Sequence, residues 1–161
     1  MSVEDLYREI ILDHYRSPRN KRRGVEGSIA VKHDNPLCGD ELHLAVDLQD
    51  GRLADVAFDG KGCSISQASA SMMTEAVQGQ SLDDALALSE TIRLMMHGEH
   101  PTGDLGDLMA LEGVAKFPVR VKCALLAWMA LRDVLGQAAT PAVPGDGATP
   151  QRSGGADGKI T

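Results

Sequence analysis

The sequence predicts a one-domain α+β fold, a small antiparallel three-stranded sheet packed with several α-helices. Two observations carry the prediction. Residues 41–48 alternate apolar and polar and run into Asp50-Gly51, which reads as a strand hairpin. Apolar residues recur at helical spacing both before this stretch and from residue 64 onward.

The elements follow in order. Ser2 reads as an N-cap with Glu4 and Asp5 in the first turn. Val3, Leu6, Tyr7, Ile10, Ile11 and His14 share one helical face, and Arg16-Ser17-Pro18 ends the helix. Ile29 to His33 is a short first strand. In the second, Leu42, Leu44, Val46 and Leu48 alternate with Glu41, His43, Ala45 and Asp47. Ala54, Val56 and Phe58 are expected to face the core from the returning strand. Ser64-Ile65-Ser66-Gln67 resembles a capping box, and Ala68, Met72, Ala76 and Val77 continue a helix that Gly79 closes. Alternating Ala and Ser over 68–71 suits close helix packing. Ser81 opens another helix, with Asp83 and Asp84 in its first turn and Leu82, Leu86, Met95 and Met96 as apolar contacts. A glycine-rich connection spans 98–106, a short helix covers 108–114, and Pro118 starts a last helix that runs through Trp128 and Leu131 and stops at Gly136. The expected division is a domain over 1–136 and a disordered tail over 137–161, where few large apolar residues are available to offset ordering entropy.

Composition narrows the function. The chain has 161 residues, 43% of them hydrophobic but only 3% aromatic, so Leu, Val, Ile, Met and Ala must fill the core. A net charge of −7 argues against nucleic acid as the main partner. No apolar run is long enough for a membrane span, and the first residues do not read as a signal peptide. An odd number of cysteines suits a reducing compartment, so a cytoplasmic location is expected.

Three cysteines carry the chemistry: Cys38 in Asn35-Pro36-Leu37-Cys38-Gly39-Asp40, Cys63 in Gly60-Lys61-Gly62-Cys63-Ser64, and Cys123 in Val119-Arg120-Val121-Lys122-Cys123-Ala124. With Asp40 they make four potential ligands, the number that tetrahedral zinc takes. Taken alone, three scattered cysteines are most often small buried apolar residues. Three clustered thiolates repel one another, and a divalent metal removes that conflict. Cys63 falls at a helix start, and Lys61, Arg120 and Lys122 add positive charge nearby in sequence. A zinc staple without reactivity accounts for the same residues.

Four motifs, Asp13 to Asn20, Asn35 to Asp40, Gly60 to Ser71 and Lys122-Cys123-Ala124, resemble in order those of the IscU/NifU N-terminal superfamily of iron–sulfur cluster assembly proteins. The resemblance covers about residues 2–136. Two features make the chain most similar to the SufU branch: Lys122 stands where scaffold-type members have histidine, and residues 97–116 look like that branch's insertion.

The resemblance implies zinc held by Cys38, Asp40, Cys63 and Cys123. It implies transfer of persulfide sulfur from a SufS-type cysteine desulfurase toward downstream iron–sulfur assembly machinery. It also suggests that the desulfurase supplies a replacement histidine ligand on docking. Cys38 is the expected acceptor, because thiolates attack persulfides and its Pro/Gly-flanked segment reads as a loop that can reach outward, whereas Cys123 falls within a helix. The alternatives are a scaffold that builds a cluster on the same cysteines and a non-catalytic zinc-stabilised interaction module. The basic segment from Arg16 to Arg23 reads as a solvated loop or a docking patch, and Arg120 as a surface charge or a partner contact. His97 and His100 are not expected to ligate a metal, and Met72, Met73, Met95 and Met96 read as core filler.

Overall fold

The computed structural model describes residues 2–36 and 39–139. The chain runs α1 (Val3–Arg16), β1 (Ile29–Asn35), β2 (Asp40–Gln49), β3 (Arg52–Lys61), α2 (Ser64–Val77), α3 (Leu82–Met96), a 3-10 segment (Gly106–Val114) and α4 (Pro118–Ala139). The expected α+β architecture is present: an antiparallel sheet of order β1-β2-β3 with the helices packed on it and on one another.

Local chemistry explains most of the boundaries. Ser2 and Asp5 form a reciprocal capping box on α1. Asp50 and Gly51 both adopt positive φ, 53° and 75°, which gives the tight turn whose twist matches antiparallel strands. Ser81 Oγ accepts the Asp84 N–H and caps α3. α2 is the central helix, with every residue from Ser66 to Thr74 buried. Its small side chains let α1 and α4 approach closely, and their hydroxyls are satisfied: Trp128 Nε1 donates to Ser69 Oγ at 3.0 Å, and Ser69 Oγ donates to the Ala124 carbonyl at 2.6 Å.

Several boundaries differ from those expected. Ala54 is exposed and Leu53 is buried in its place. The β2–β3 register jumps there, from Asp47 opposite Asp55 to Leu48 opposite Leu53. Ala54 is thus the extra residue of a β-bulge, which resets the alternation that the sequence pattern assumed. Leu86 is 45% exposed rather than a core contact. On α1, Val3 and Leu6 are exposed, and only Ile11 and His14 are buried. The short helix expected over 108–114 is present as a 3-10 helix that begins earlier, at Gly106. α4 continues past Gly136 to Ala139, so residues 137–139 of the expected tail are helical; residues 140–161 lie outside the described residues.

The outer edge of β3 is covered from both ends. Arg22 N–H donates to the Phe58 carbonyl and Phe58 N–H to the Asn20 carbonyl; Leu53 N–H donates to Gln80 and Gly79 N–H to Leu53. A sheet edge with its hydrogen bonds filled offers no template for strand pairing. The basic segment is therefore largely structural. Arg22 makes a two-pronged contact with Asp55 at 3.0 and 2.9 Å, a hydrogen bond that holds the Asp55 carboxyl below its ordinary range. Lys21 Nζ donates to Gln67 Oε1, and Arg19 pairs with Asp13.

His14 is fully buried and unites three elements. Its Nδ1 lies 2.8 Å from Ser71 Oγ on α2, and its Nε2 lies 2.9 Å from Asp107 Oδ2 on the 3-10 segment. Ser71 Oγ also accepts the Arg19 N–H at 2.8 Å. A neutral imidazole satisfies this set, with Nε2–H donating to Asp107 and Ser71 O–H donating to Nδ1.

Candidate metal centre

Strand register assembles the centre. Glu41 on β2 is opposite Lys61 on β3, so the start of β2 and the end of β3 lie side by side. Asp40 is one residue before Glu41, and Cys63 is two residues after Lys61. The Asp40 carboxylate, 1% exposed, accepts the Cys63 N–H through Oδ1 at 3.0 Å. Cys63 is itself the N-cap of α2, with Sγ accepting the Ser66 N–H at 3.5 Å. This displaces the cap expected at Ser64 by one residue, because a sulfur lone pair does the work assigned to a hydroxyl. α4 packs against β1, β2 and α2. It brings Cys123, fully buried, with its Sγ 3.8 Å from the Val119 carbonyl one turn earlier. Ligand atoms of Asp40, Cys63 and Cys123 all lie within 4.8 Å of one another.

Two glycines make the approach possible. At Gly60, φ is 143°, a conformation that side chains resist, and a Cβ there would run into the Glu41 carbonyl. At Gly62, a Cβ would overlap Asp40 Oδ1 and stand 2.5 Å from Ser66 Oγ and 2.9 Å from Asp40 Cγ. The motif Gly60-Lys61-Gly62-Cys63 is thus a backbone passage that leaves room for a buried carboxylate beside a thiol.

The surrounding cations divide into two groups. Lys61 Nζ lies 3.3 Å from Glu41, with Lys32 3.7 Å from the same carboxylate. The Lys61 hydrogen bond, followed by its charge, holds the Glu41 carboxyl below its ordinary range. Lys61 is therefore directed at Glu41 rather than at the thiols. Arg120 and Lys122 are exposed on the first turns of α4, and neither side chain has an ion-pair partner among the described residues.

Three of the four expected ligands thus converge. The fourth, Cys38, which is also the expected acceptor, lies outside the described residues; its flanking neighbours Asn35 and Asp40 are paired across β1 and β2. His97 and His100 are engaged away from the centre: His97 Nδ1 lies 2.7 Å from the Arg93 carbonyl, and His100 Nδ1 lies 2.7 Å from Glu112 Oε2. Met72, Met73, Met95 and Met96 are core residues, none more than 3% exposed. Sequence reasoning missed Ser66, which meets Cys63 through its N–H and through an Oγ bond to the Cys63 carbonyl at 3.1 Å. The available signal was its spacing of three residues from a helix cap.

The model of the NifU-like N-terminal domain matches residues 6–124. The chain belongs to that family. It is 49% identical over 133 residues to the zinc-dependent sulfurtransferase SufU of Bacillus subtilis, covering 81% of this chain and 89% of the relative. It is 43% identical over 139 residues to the iron–sulfur cluster assembly scaffold protein IscU of Streptococcus pyogenes serotype M1, covering 85% of this chain and 87% of the relative. Among solved structures, it resembles the putative iron–sulfur cluster assembly scaffold protein for the SUF system from Fervidobacterium islandicum AW-1. That match has a TM-score of 0.72 and 31% identity and covers 83% of this chain and 99% of the other. The three cysteines and Asp40 are thus carried on a NifU-like N-terminal framework. Among the described residues, no helix is long and apolar enough to cross a membrane.

Proposed function

We propose that this NifU-like chain is a zinc-dependent sulfurtransferase that receives persulfide sulfur from a SufS-type cysteine desulfurase and passes it toward iron–sulfur cluster assembly in the cytoplasm. The observation that carries the reading is the convergence of Asp40, Cys63 and Cys123 within 4.8 Å in a largely buried setting. Two thiols and one carboxylate suit zinc, which accepts both sulfur and oxygen donors, and a third thiol completes a tetrahedral set. Cys38, Asp40, Cys63 and Cys123 would hold the ion. When bound, zinc keeps thiols deprotonated without the repulsion that bare thiolates suffer.

The residues of the chain divide the remaining work. Cys63 is fixed by its role as helix cap and Cys123 by its burial inside α4, so both are anchors. Asp40 is held by the Cys63 N–H. Cys38 is the acceptor. Its thiolate attacks the outer sulfur of the desulfurase persulfide, the old S–S bond breaks, and the desulfurase cysteine leaves as thiolate. The step conserves electrons and gives a persulfide on Cys38. The exposed cations Arg120 and Lys122 border this centre in sequence and are available to the incoming partner.

The names of the scaffold relatives favour a second reading, in which a cluster forms on the same cysteines. Lys122 counts against it, because an exposed ammonium offers no ligand where scaffold-type members have histidine. Cys38→Ser distinguishes the readings. The variant is expected to lose stimulation of a SufS-type desulfurase and to show no trapped persulfide by mass spectrometry, while retaining part of its zinc. Full activity of the variant, with persulfide on Cys63 or Cys123, would overturn the assignment. A stable chromophoric cluster formed by the wild-type protein with ferrous iron and sulfide would favour the scaffold.

A further inference from the structure

His14, Glu75 and Asp107 each offer a ligand atom within 4.8 Å of the others, well apart in sequence from the cysteines. We infer that His14, Glu75 and Asp107 form a second site, of nitrogen and oxygen donors, for a divalent first-row transition ion. His14 Nε2 and Asp107 Oδ2 are 2.9 Å apart. That is close to the spacing of two neighbouring ligands on one ion with bonds of about 2.1 Å.

The imidazole is built in rather than incidental. It is fully buried, and its other nitrogen is fixed by Ser71 Oγ, also fully buried. A ligating histidine needs such an outer partner to set its tautomer and ring orientation. Ion binding replaces the Nε2 proton; Nδ1–H then donates to Ser71 Oγ, which has two lone pairs for it and for the Arg19 N–H. Fixed burial on one side contrasts with freedom on the other. The Glu75 and Asp107 side chains are 54% and 51% exposed, so water reaches them and both have room to close on an ion.

Charge and ligand type select the ion. Two carboxylates and a neutral imidazole balance a dication. The nitrogen disfavours calcium and magnesium, which take oxygen ligands, and favours manganese, ferrous iron, cobalt or zinc. Arg19 is the opposing feature, with Nε 3.9 Å from Glu75. Its shorter contact, 2.9 Å, is to Asp13, which holds the guanidinium away from full pairing with Glu75. An ion here would bridge α1, α2 and the 3-10 segment, three elements otherwise joined at this point by the hydrogen bonds of His14.

The test uses Mn²⁺ with the full chain carrying one equivalent of zinc and freed of any excess, so that the thiol-rich cysteine centre is filled and the second site is left open. Loss of the free-ion electron paramagnetic resonance signal should reveal one bound Mn²⁺ per chain with sub-millimolar affinity, and the melting temperature should rise with added Mn²⁺. Glu75→Ala and Asp107→Asn should each weaken binding at least about tenfold and abolish the thermal shift. Cys63→Ser and Cys123→Ser should leave Mn²⁺ binding intact, which separates this site from the proposed zinc centre. No binding by the wild-type chain, or equal binding by Glu75→Ala, would overturn the inference.

Discussion

Gly62→Ala tests how the candidate centre is built. The added Cβ overlaps Asp40 Oδ1 and stands 2.5 Å from Ser66 Oγ. Both partners are buried, at 1% and 2% exposure, so neither can swing into solvent. Relief requires movement of the carboxylate, and that movement breaks the 3.0 Å bond from the Cys63 N–H. Overpacking a tight site costs about 1–3 kcal/mol, and losing a hydrogen bond to a charged group costs about 1.5–3 kcal/mol. Because the two losses share one movement, the expected destabilisation is about 2–5 kcal/mol. Displacing a ligand that its outer partner orients should also weaken zinc binding about 10–100-fold. Urea unfolding of the zinc-free protein measures the first effect, and competition with a chromophoric chelator measures the second. Gly136→Ala is the control, since Gly136 lies inside α4 with no described residue within 4 Å of the added Cβ beyond its own helix backbone; it should be stabilising by up to about 1 kcal/mol. An unfolding midpoint and zinc affinity unchanged by Gly62→Ala would refute the account of Asp40 as a buried, sterically held ligand.

Zinc removal should lower the melting temperature, because an ion that binds only the folded chain stabilises it by about 4 kcal/mol at a thousandfold excess over Kd; calorimetry of the zinc-loaded and zinc-free forms checks this, and superimposable curves would count against it. His14→Ala should cost about 2–4 kcal/mol through a cavity and stranded partners at Ser71 and Asp107, whereas His97→Ala, at an exposed position, should stay within about 0.5 kcal/mol in the same urea titration. Glu90 carries an acid-side signature: its carboxyl is lowered to about 2, first by the Arg93 hydrogen bond, against an ordinary value of 4.5. A depressed folded-state value gives stability that is present above pH 4.5 and lost as pH falls toward 2, so Glu90→Gln should flatten the stability–pH curve in that window.

How far the sequence could be read depends on the range of the forces involved. The α1 cap at Ser2, the Asp50-Gly51 turn and the α3 cap at Ser81 were legible because each depends on residues within a few positions of one another. The candidate metal centre was legible only as a list of donors, through motif resemblance. Spacing alone favoured reading Cys38, Cys63 and Cys123 as buried core residues rather than ligands. Tertiary structure decided what lay between distant segments. A one-residue bulge exchanged Ala54 for Leu53 in the core, since side-chain alternation has no memory across an inserted residue. Arg19, Lys21 and Arg22, indistinguishable in sequence from a solvated basic loop, found partners at Asp13, Gln67 and Asp55. His14 sat on an apolar stripe by spacing, yet its burial is stable because Ser71 and Asp107, 57 and 93 residues away, satisfy both ring nitrogens. Hydrophobic periodicity reports which face of an element is buried. Which polar group waits on the other side of the contact is decided only when the elements pack.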